Sequence, residues 1–414
     1  MNEKFVIKRD NDVNELIDSL GTNEIKVIIG LRRAGKSYLL KELFYEKLKT
    51  DLNFKDSDIR ICDLDSDRYR DIRDLDSFKK MLEDTDKETK VIIIDEVQKA
   101  GDGYEEILID FNNANKNIDI YITGSNSKSL SNDILGKFKE HTKRHTLKPV
   151  SYRQIKETIP DFTLDDYFRY GSLPIVLKKK PEERLTFLNE LYESTYLSDI
   201  YDRCKFQYLS NEEMKHIIDN IVSNLENPIS TFKICKNVIP KGIKDDNVKA
   251  IYKKEISKFV EACVDSFLLI DFEDGQILNE NTPDEYRDKN IKKYCFDVGL
   301  FNVISTAIIN KKNSCILENI VFLELLSRNI YPSGKHIEVG ESYKTIDFCY
   351  ENNNKYTYIQ AEFNLNDNCY DREIGNLEYA PENGERINIY YTNSCTKAIP
   401  RSIKNISLDH FINK

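Results

Sequence analysis

Short apolar runs alternate with amphipathic stretches through the first 150 residues. Ile25–Ile29, Ile59–Asp63, Val91–Asp95 and residues 118–122 read as strands, and the third holds four β-branched residues in succession. Between them, residues 36–49, 75–84 and 104–115 carry apolar positions at helical spacing; Leu39, Leu40, Leu43 and Phe44 mark the first. This alternation predicts a parallel sheet covered by helices on both faces. From residue 152 to about 225 the pattern is helical, with a break at Gly171-Ser172-Leu173-Pro174. A helix opening at Pro181 turns Leu185, Phe187, Leu188 and Leu191 inward. In residues 229–297 a short helix beginning near Ser230 and Thr231 precedes a longer one capped by Asp245-Asp246. The longer helix gathers Val248, Tyr252, Ile256, Phe259, Val260 and Cys263 on one arc, and strands at 267–272 and 293–296 follow. That order is the order of a winged helix. Residues 315–414 read as a last α/β unit: a helix at 318–328, a hairpin of 344–350 and 356–363 around Asn352-Asn353-Asn354, and a strand at 387–391. The expected fold class is α/β throughout.

Composition narrows the function classes. The chain has 414 residues, room for two to four domains, and is 32% charged and 40% hydrophobic, as befits a soluble globular protein. No run approaches the roughly 20 apolar residues of a membrane span, and the first residues carry no signal-peptide core. A cytoplasmic protein without membrane contact is expected. Nine cysteines occur without a C-x-x-C pair, which points to a reducing compartment rather than a disulfide framework or a zinc site. His141 and His145 are four residues apart, but Lys139, Lys143 and Arg144 around them would repel a metal ion, so both are expected at the surface. A net charge of −10 excludes a chain that binds polyanions over its whole surface and leaves room only for a local basic patch.

The candidate chemistry lies at the ends of the apolar runs. Gly30-Leu31-Arg32-Arg33-Ala34-Gly35-Lys36-Ser37 fits G-x-x-x-x-G-K followed by Ser or Thr, set between a strand and a helix. In that setting the glycines let backbone N–H groups cradle phosphate oxygens at the positive end of the helix. Gly30, Arg33, Ala34, Gly35, Lys36, Ser37 and Tyr38 are therefore the expected ATP-binding residues. Lys36 would reach the β- and γ-phosphates, and Ser37 would offer its hydroxyl to Mg²⁺. The 91–95 strand ends in Asp95-Glu96, where open α/β sheets bind their ligands. Asp95 is expected to hold Mg²⁺ and Glu96 to orient the attacking water. After the 118–122 strand, Thr123-Gly124-Ser125-Asn126-Ser127 supplies Ser125 and Asn126 as candidates to sense the γ-phosphate. Lys249, Lys253, Lys254 and Lys258 decorate the longer helix of the 229–297 segment as a candidate contact to double-stranded DNA, although they fall on two sides of it.

These motifs, with Leu147-Lys148-Pro149-Val150-Ser151-Tyr152, Tyr170-Gly171-Ser172-Leu173-Pro174, Tyr196-Leu197-Ser198-Asp199-Ile200, Phe296-Asp297-Val298-Gly299-Leu300, Glu318-Asn319-Ile320-Val321-Phe322 and Ile346-Asp347-Phe348, resemble a family of prokaryotic AAA+-type ATPases with a C-terminal domain of unknown function. The resemblance spans essentially the whole chain. It implies a P-loop ATPase core over 1–150, a helical lid or linker over 151–228, a winged-helix-like part over 229–297 and a domain similar to PD-(D/E)xK nucleases over 298–414.

Two departures qualify it. Asp347 stands where such a nuclease has its Asp, and Glu318 is a candidate upstream carboxylate. Gln360 and Glu362, however, occupy the positions of the metal-binding Glu and the lysine, so cleavage is expected to be lost. Gly136-Lys137 replaces a Gly-Arg whose arginine resembles a finger acting on a neighbouring subunit; lysine cannot make the planar two-pronged contact, and Arg144 is a candidate substitute. The leading expectation is an ATP-driven switch acting on DNA or a protein partner, or through self-association. The alternatives are an ATP-dependent nuclease of a mobile-element or defence system and a non-catalytic nucleotide-binding scaffold.

Overall fold

A computed structural model describes residues 5–124, 141–223, 231–273, 276–277, 292–304, 309–339 and 342–413. The chain divides into two compact units, one of residues 1–148 with 265–267, the other of 149–264 with 268–414.

The first unit is built on five parallel strands: β1 (Ile25–Ile29), β2 (Ile59–Asp63), β3 (Val91–Asp95), β4 (Asp119–Thr123) and β5 (Thr142–Thr146), ordered β2-β3-β4-β1-β5. β1 and β3 are buried along their whole length, as a parallel strand covered on both faces must be. Because β1 and β3 both run parallel to β4 between them, their carboxyl ends open onto one edge of the sheet. Helix α1 (Asp10–Ile17) buries Val13 and Leu16, and Tyr121 of β4 donates its hydroxyl to Leu16 O at 2.9 Å. Helix α2 spans residues 36–52, passes through a π-helical stretch at Leu39–Phe44, and stops at Asn53 in the left-handed conformation.

β5 is a departure from the pattern reading. Residues 142–146, Thr-Lys-Arg-His-Thr, carry no apolar run, yet they pair in register with 25–29 of β1. An edge strand needs little burial of its own, and among these five only His145 is buried. His145 is therefore an interior residue and not the surface one expected from its neighbours. His141 is half-buried, and its carbonyl accepts from Ile25 N at 2.8 Å.

The second unit begins with helices, several closed at the start by reciprocal caps such as Ser151 with Gln154, Thr163 with Asp166 and Ser210 with Glu213. Helix α3 (Asp246–Asp265) precedes an antiparallel sheet of β6 (Leu269–Glu273), β7 (Gln276–Ile277) and β8 (Lys292–Cys295), ordered β7-β6-β8. A five-stranded mixed sheet follows, ordered β13-β12-β11-β10-β9, from β9 (Ser333–Val339), β10 (Ser342–Asn352), β11 (Lys355–Leu365), β12 (Glu385–Asn393) and β13 (Ile403–Ser407). The β10–β11 hairpin turns on Asn353 and Asn354, both at positive φ (50° and 60°), the backbone that a two-residue hairpin loop requires.

The break at Gly171-Ser172 has a structural cause far along the chain. The buried Asp297 carboxylate accepts from Ser172 N at 2.7 Å, Ser172 Oγ at 2.9 Å and Leu300 N at 3.0 Å. Gly171 (φ +70°) would collide with Asp297 if it carried a Cβ, and Gly299 would collide with the Tyr170 carbonyl. Two segments 125 residues apart thus interlock through their glycines.

Candidate nucleotide site

The turn after β1 is shaped by positive φ at Gly30 (143°), Arg33 (68°) and Gly35 (103°). Such left-handed residues allow successive N–H groups to face one side, the condition for an anion cradle at the start of α2. Lys36 is buried and curls back into the loop, donating to Gly30 O at 2.9 Å and Leu31 O at 3.2 Å. Burial pushes its ammonium down to about 8, against the pull of Glu96 and Asp95. Ser37, the next residue, donates its hydroxyl to Asp95 Oδ1 at 2.9 Å. The loop of β1 and the end of β3 therefore meet on one oxygen.

Asp95 is buried and fully engaged. Thr123, at the end of β4, donates its hydroxyl to Oδ1, and Lys41 of α2 lies 2.7 Å from Oδ2. Lys41 also lies 2.7 Å from Asp63 Oδ2, at the end of β2. Asp63 and Asp95 are register partners on neighbouring strands, so one ammonium four positions after Ser37 spans both. Glu96 sits in the left-handed region at φ +56°, a conformation rarely adopted by a residue with a long side chain. Its N–H donates to Thr123 Oγ1 at 3.2 Å, and its carboxylate accepts from Gln98 Nε2. A strained residue held by specific bonds at a strand end marks a place where side-chain direction matters.

The donor set fits Mg²⁺. A serine hydroxyl and a carboxylate already converge at 2.9 Å, and hard oxygen ligands are what this ion takes. Lys36, Ser37, Asp95 and Glu96 are brought together, with Gly30, Ala34 and Gly35 forming the turn; Arg33 is exposed, and Tyr38 is partly buried in the first turn of α2. Ser125, Asn126, Gly136 and Lys137 lie outside the described residues. Arg144 is part of β5, opposite Val27 of β1. Pattern reading missed Lys41, Asp63 and Thr123. Helical spacing from Ser37 and the strand-end positions of the other two were the available signals.

A second polar centre lies in the C-terminal sheet. Asp347 Oδ2 accepts from Ala361 N at 2.9 Å, and burial, then the nearby Glu318, pushes its carboxyl well above the ordinary range. Gln360 spends both ends of its amide, accepting from Asp347 N at 2.8 Å and donating to Glu373 Oε2 at 2.7 Å. Glu362 is paired with Arg372, and Glu318 with Lys292. Among the described residues, no group of three or more His, Cys, Asp or Glu side chains is placed to hold a metal ion. Incubation of plasmid or linear DNA with the protein and Mg²⁺ or Mn²⁺ is expected to give no cleavage above that of Asp347→Ala, read on a gel. Cleavage that vanishes in Asp347→Ala would instead establish a working nuclease centre.

A phosphate loop on β1, a carboxylate pair ending β3 and a five-stranded parallel sheet define a P-loop domain of the ATPase class. Residues 22–156, which contain that sheet, match the family model of the AAA domain, and this part of the chain is an AAA+-type P-loop domain. Along most of its length the chain is similar to an uncharacterized protein of Haemophilus influenzae, 26% identical over 397 residues, 93% of each chain. It is also similar to an uncharacterized protein of Methanocaldococcus jannaschii, 28% identical over 398 residues, 91% of this chain and 81% of that one. Among solved structures, domain III of the Thermotoga maritima replication initiation protein DnaA is a remote match at 16% identity, covering 45% of this chain and 82% of that one with a TM-score of 0.29. Among the described residues, no helix is long and apolar enough to cross a membrane.

Proposed function

We propose that the protein is an ATP-driven switch that hydrolyses ATP to ADP and phosphate and acts on DNA or on a protein partner. The observation that supports it most is the 2.9 Å bond from Ser37 Oγ to Asp95 Oδ1, which joins the phosphate loop to the acidic strand end. In this reading Gly30 and residues 33–38 hold the phosphates, and Lys36 leaves the loop carbonyls to meet the β- and γ-oxygens. Ser37 and Asp95 hold Mg²⁺, which when bound neutralises charge on the transferring phosphoryl group. Glu96, aimed by its backbone bond to Thr123, orients the attacking water. Asn126 retains its role as γ-phosphate sensor on the strength of its place after β4.

The second unit is the proposed output, with residues 151–228 as a lid or linker, 229–297 as a winged-helix-like part and 298–414 as a non-cleaving nuclease-like domain. The basic helix offers less than its sequence suggested. Lys249 pairs with Asp246 at 2.9 Å, and Lys258 caps the Cys204 carbonyl at 2.6 Å. Lys253 and Lys254 are exposed and remain the candidates for phosphate contact. ATPase rates with and without duplex DNA, together with a gel-shift titration at low salt, test the DNA reading. Binding is expected to weaken with salt at a log–log slope near −0.9 per phosphate contact, and Lys253→Glu with Lys254→Glu to weaken it on all sequences alike. Absence of a shift in every nucleotide state would move the search to protein partners, including a second copy of this chain.

A further inference from the structure

Arg9 is the least expected feature of the first unit. It lies outside every recognisable motif, just before α1, yet its side chain is buried. Its guanidinium joins two segments far apart in sequence. Nη2 donates to Ala34 O at 3.1 Å, inside the phosphate loop, and Nη1 donates to Lys148 O at 2.6 Å, two residues beyond β5. Asp12 Oδ2, 3.5 Å from Nη1, supplies the counter-charge. Asp12 is itself held by His145 of β5, whose Nε2 is 3.1 Å from Oδ1 and whose Nδ1 is 2.9 Å from Glu15 Oε2. His145 is shifted upward: burial opposes its charge, but the bonds to Asp12 and Glu15 outweigh that. Arg9 is thus aimed from behind by a buried Asp12–His145 pair, which the exposed Glu15 closes on its outer side.

A second tie runs parallel to the first. Leu147 N donates to Ile29 O at 2.8 Å, and a Cβ on Gly30 would stand 3.0 Å from Leu147 O. The loop is therefore fastened to residues 147–148 at its start by backbone packing and in its middle by Arg9. Lys148 is the last residue of the first unit before the chain continues at Pro149.

We propose that Arg9 is a positioning residue that couples the phosphate loop to the segment by which the chain leaves the parallel sheet, so that filling the loop changes the order of residues 147–148. This rests on nucleotide binding at the loop, as proposed above. The guanidinium suits the task because its planar fork presents Nη1 and Nη2 to the two carbonyls in a fixed geometry, whereas an ammonium offers all its donors from a single nitrogen on a flexible stem. Coupling of this kind is reciprocal: whatever the loop does to Lys148, a constraint on Lys148 does to the loop.

The test is amide hydrogen exchange of the full chain, read on peptides spanning 145–152, with no nucleotide, with ADP and with a non-hydrolysable ATP analogue. In the wild type, the Leu147 and Lys148 amides are expected to gain protection with nucleotide. In Arg9→Gln that gain is lost and nucleotide affinity falls about 10-fold, the size expected for one charge-assisted hydrogen bond. Arg9→Lys keeps the charge and a folded unit, retains affinity within about threefold, and still loses the gain in protection, because a single ammonium nitrogen cannot stand where both Nη1 and Nη2 stand. A wild type that binds nucleotide with no change at 147–148, or an Arg9→Lys variant whose exchange response equals that of the wild type, overturns the coupling while leaving ATP binding intact. A wild type that binds no nucleotide overturns the functional reading, and the coupling falls with it. Should Arg9→Gln fail to fold, the wild-type and Arg9→Lys measurements decide the matter alone.

Discussion

Glu96→Gln is expected to bind ATP as tightly as the wild type and to lose turnover by about 10²-fold or more, the usual loss on removing a group that positions or deprotonates the attacking nucleophile. The amide keeps the size and hydrogen-bonding reach of the carboxylate and loses its charge. The left-handed backbone of Glu96 and its N–H bond to Thr123 are untouched, so the fold should be too. Asp95→Ala separates the two acids. It removes the acceptor of Ser37, Thr123 and Lys41 together, so Mg²⁺-dependent nucleotide binding should weaken as well as turnover. Steady-state ATPase rates and equilibrium binding of a fluorescent ATP analogue, with and without Mg²⁺, read both. Equal losses of binding in the two variants would mean that Asp95 and Glu96 share one role.

Lys36→Ala should weaken ATP binding by roughly 100-fold, the loss of about 3 kcal/mol expected when charge-assisted bonds to phosphate disappear. Lys36 donates to Gly30 O and Leu31 O. Phosphate oxygens are expected to take over those bonds on binding, so the variant loses the ligand contacts, while Leu31 O keeps the Ala34 N–H as a donor. The melting temperature should move little by comparison, because the strand β1 and helix α2 that carry the loop are anchored by their own buried faces. Wild-type affinity and turnover in a folded Lys36→Ala protein would refute the assignment of the loop.

Much of this protein is determined by its sequence alone, and the reason is local. The strands β1 to β4 and the helices between them follow from apolar runs and helical spacing, because each is buried on both faces or amphipathic on one. The phosphate loop is legible because backbone conformation at Gly30 and Gly35 is a property of a few adjacent residues. The β10–β11 hairpin is legible for the same reason, in Asn353 and Asn354. What pattern could not yield depends on partners distant in sequence. β5 is polar and becomes a strand only because β1 has an open edge. His145 looks exposed among lysines and is buried because α1 brings Asp12 and Glu15 to it. Lys249 and Lys258 read as a basic face, and the structure commits both to partners of their own chain. Lys41, Asp63 and Thr123 enter the site because the order β2-β3-β4-β1 sets three strand ends side by side, and Arg9 reaches Ala34 and Lys148 only after the sheet has closed. Short-range propensity writes the elements; tertiary packing decides which charges are buried, and buried charge must find its partner wherever the fold places it.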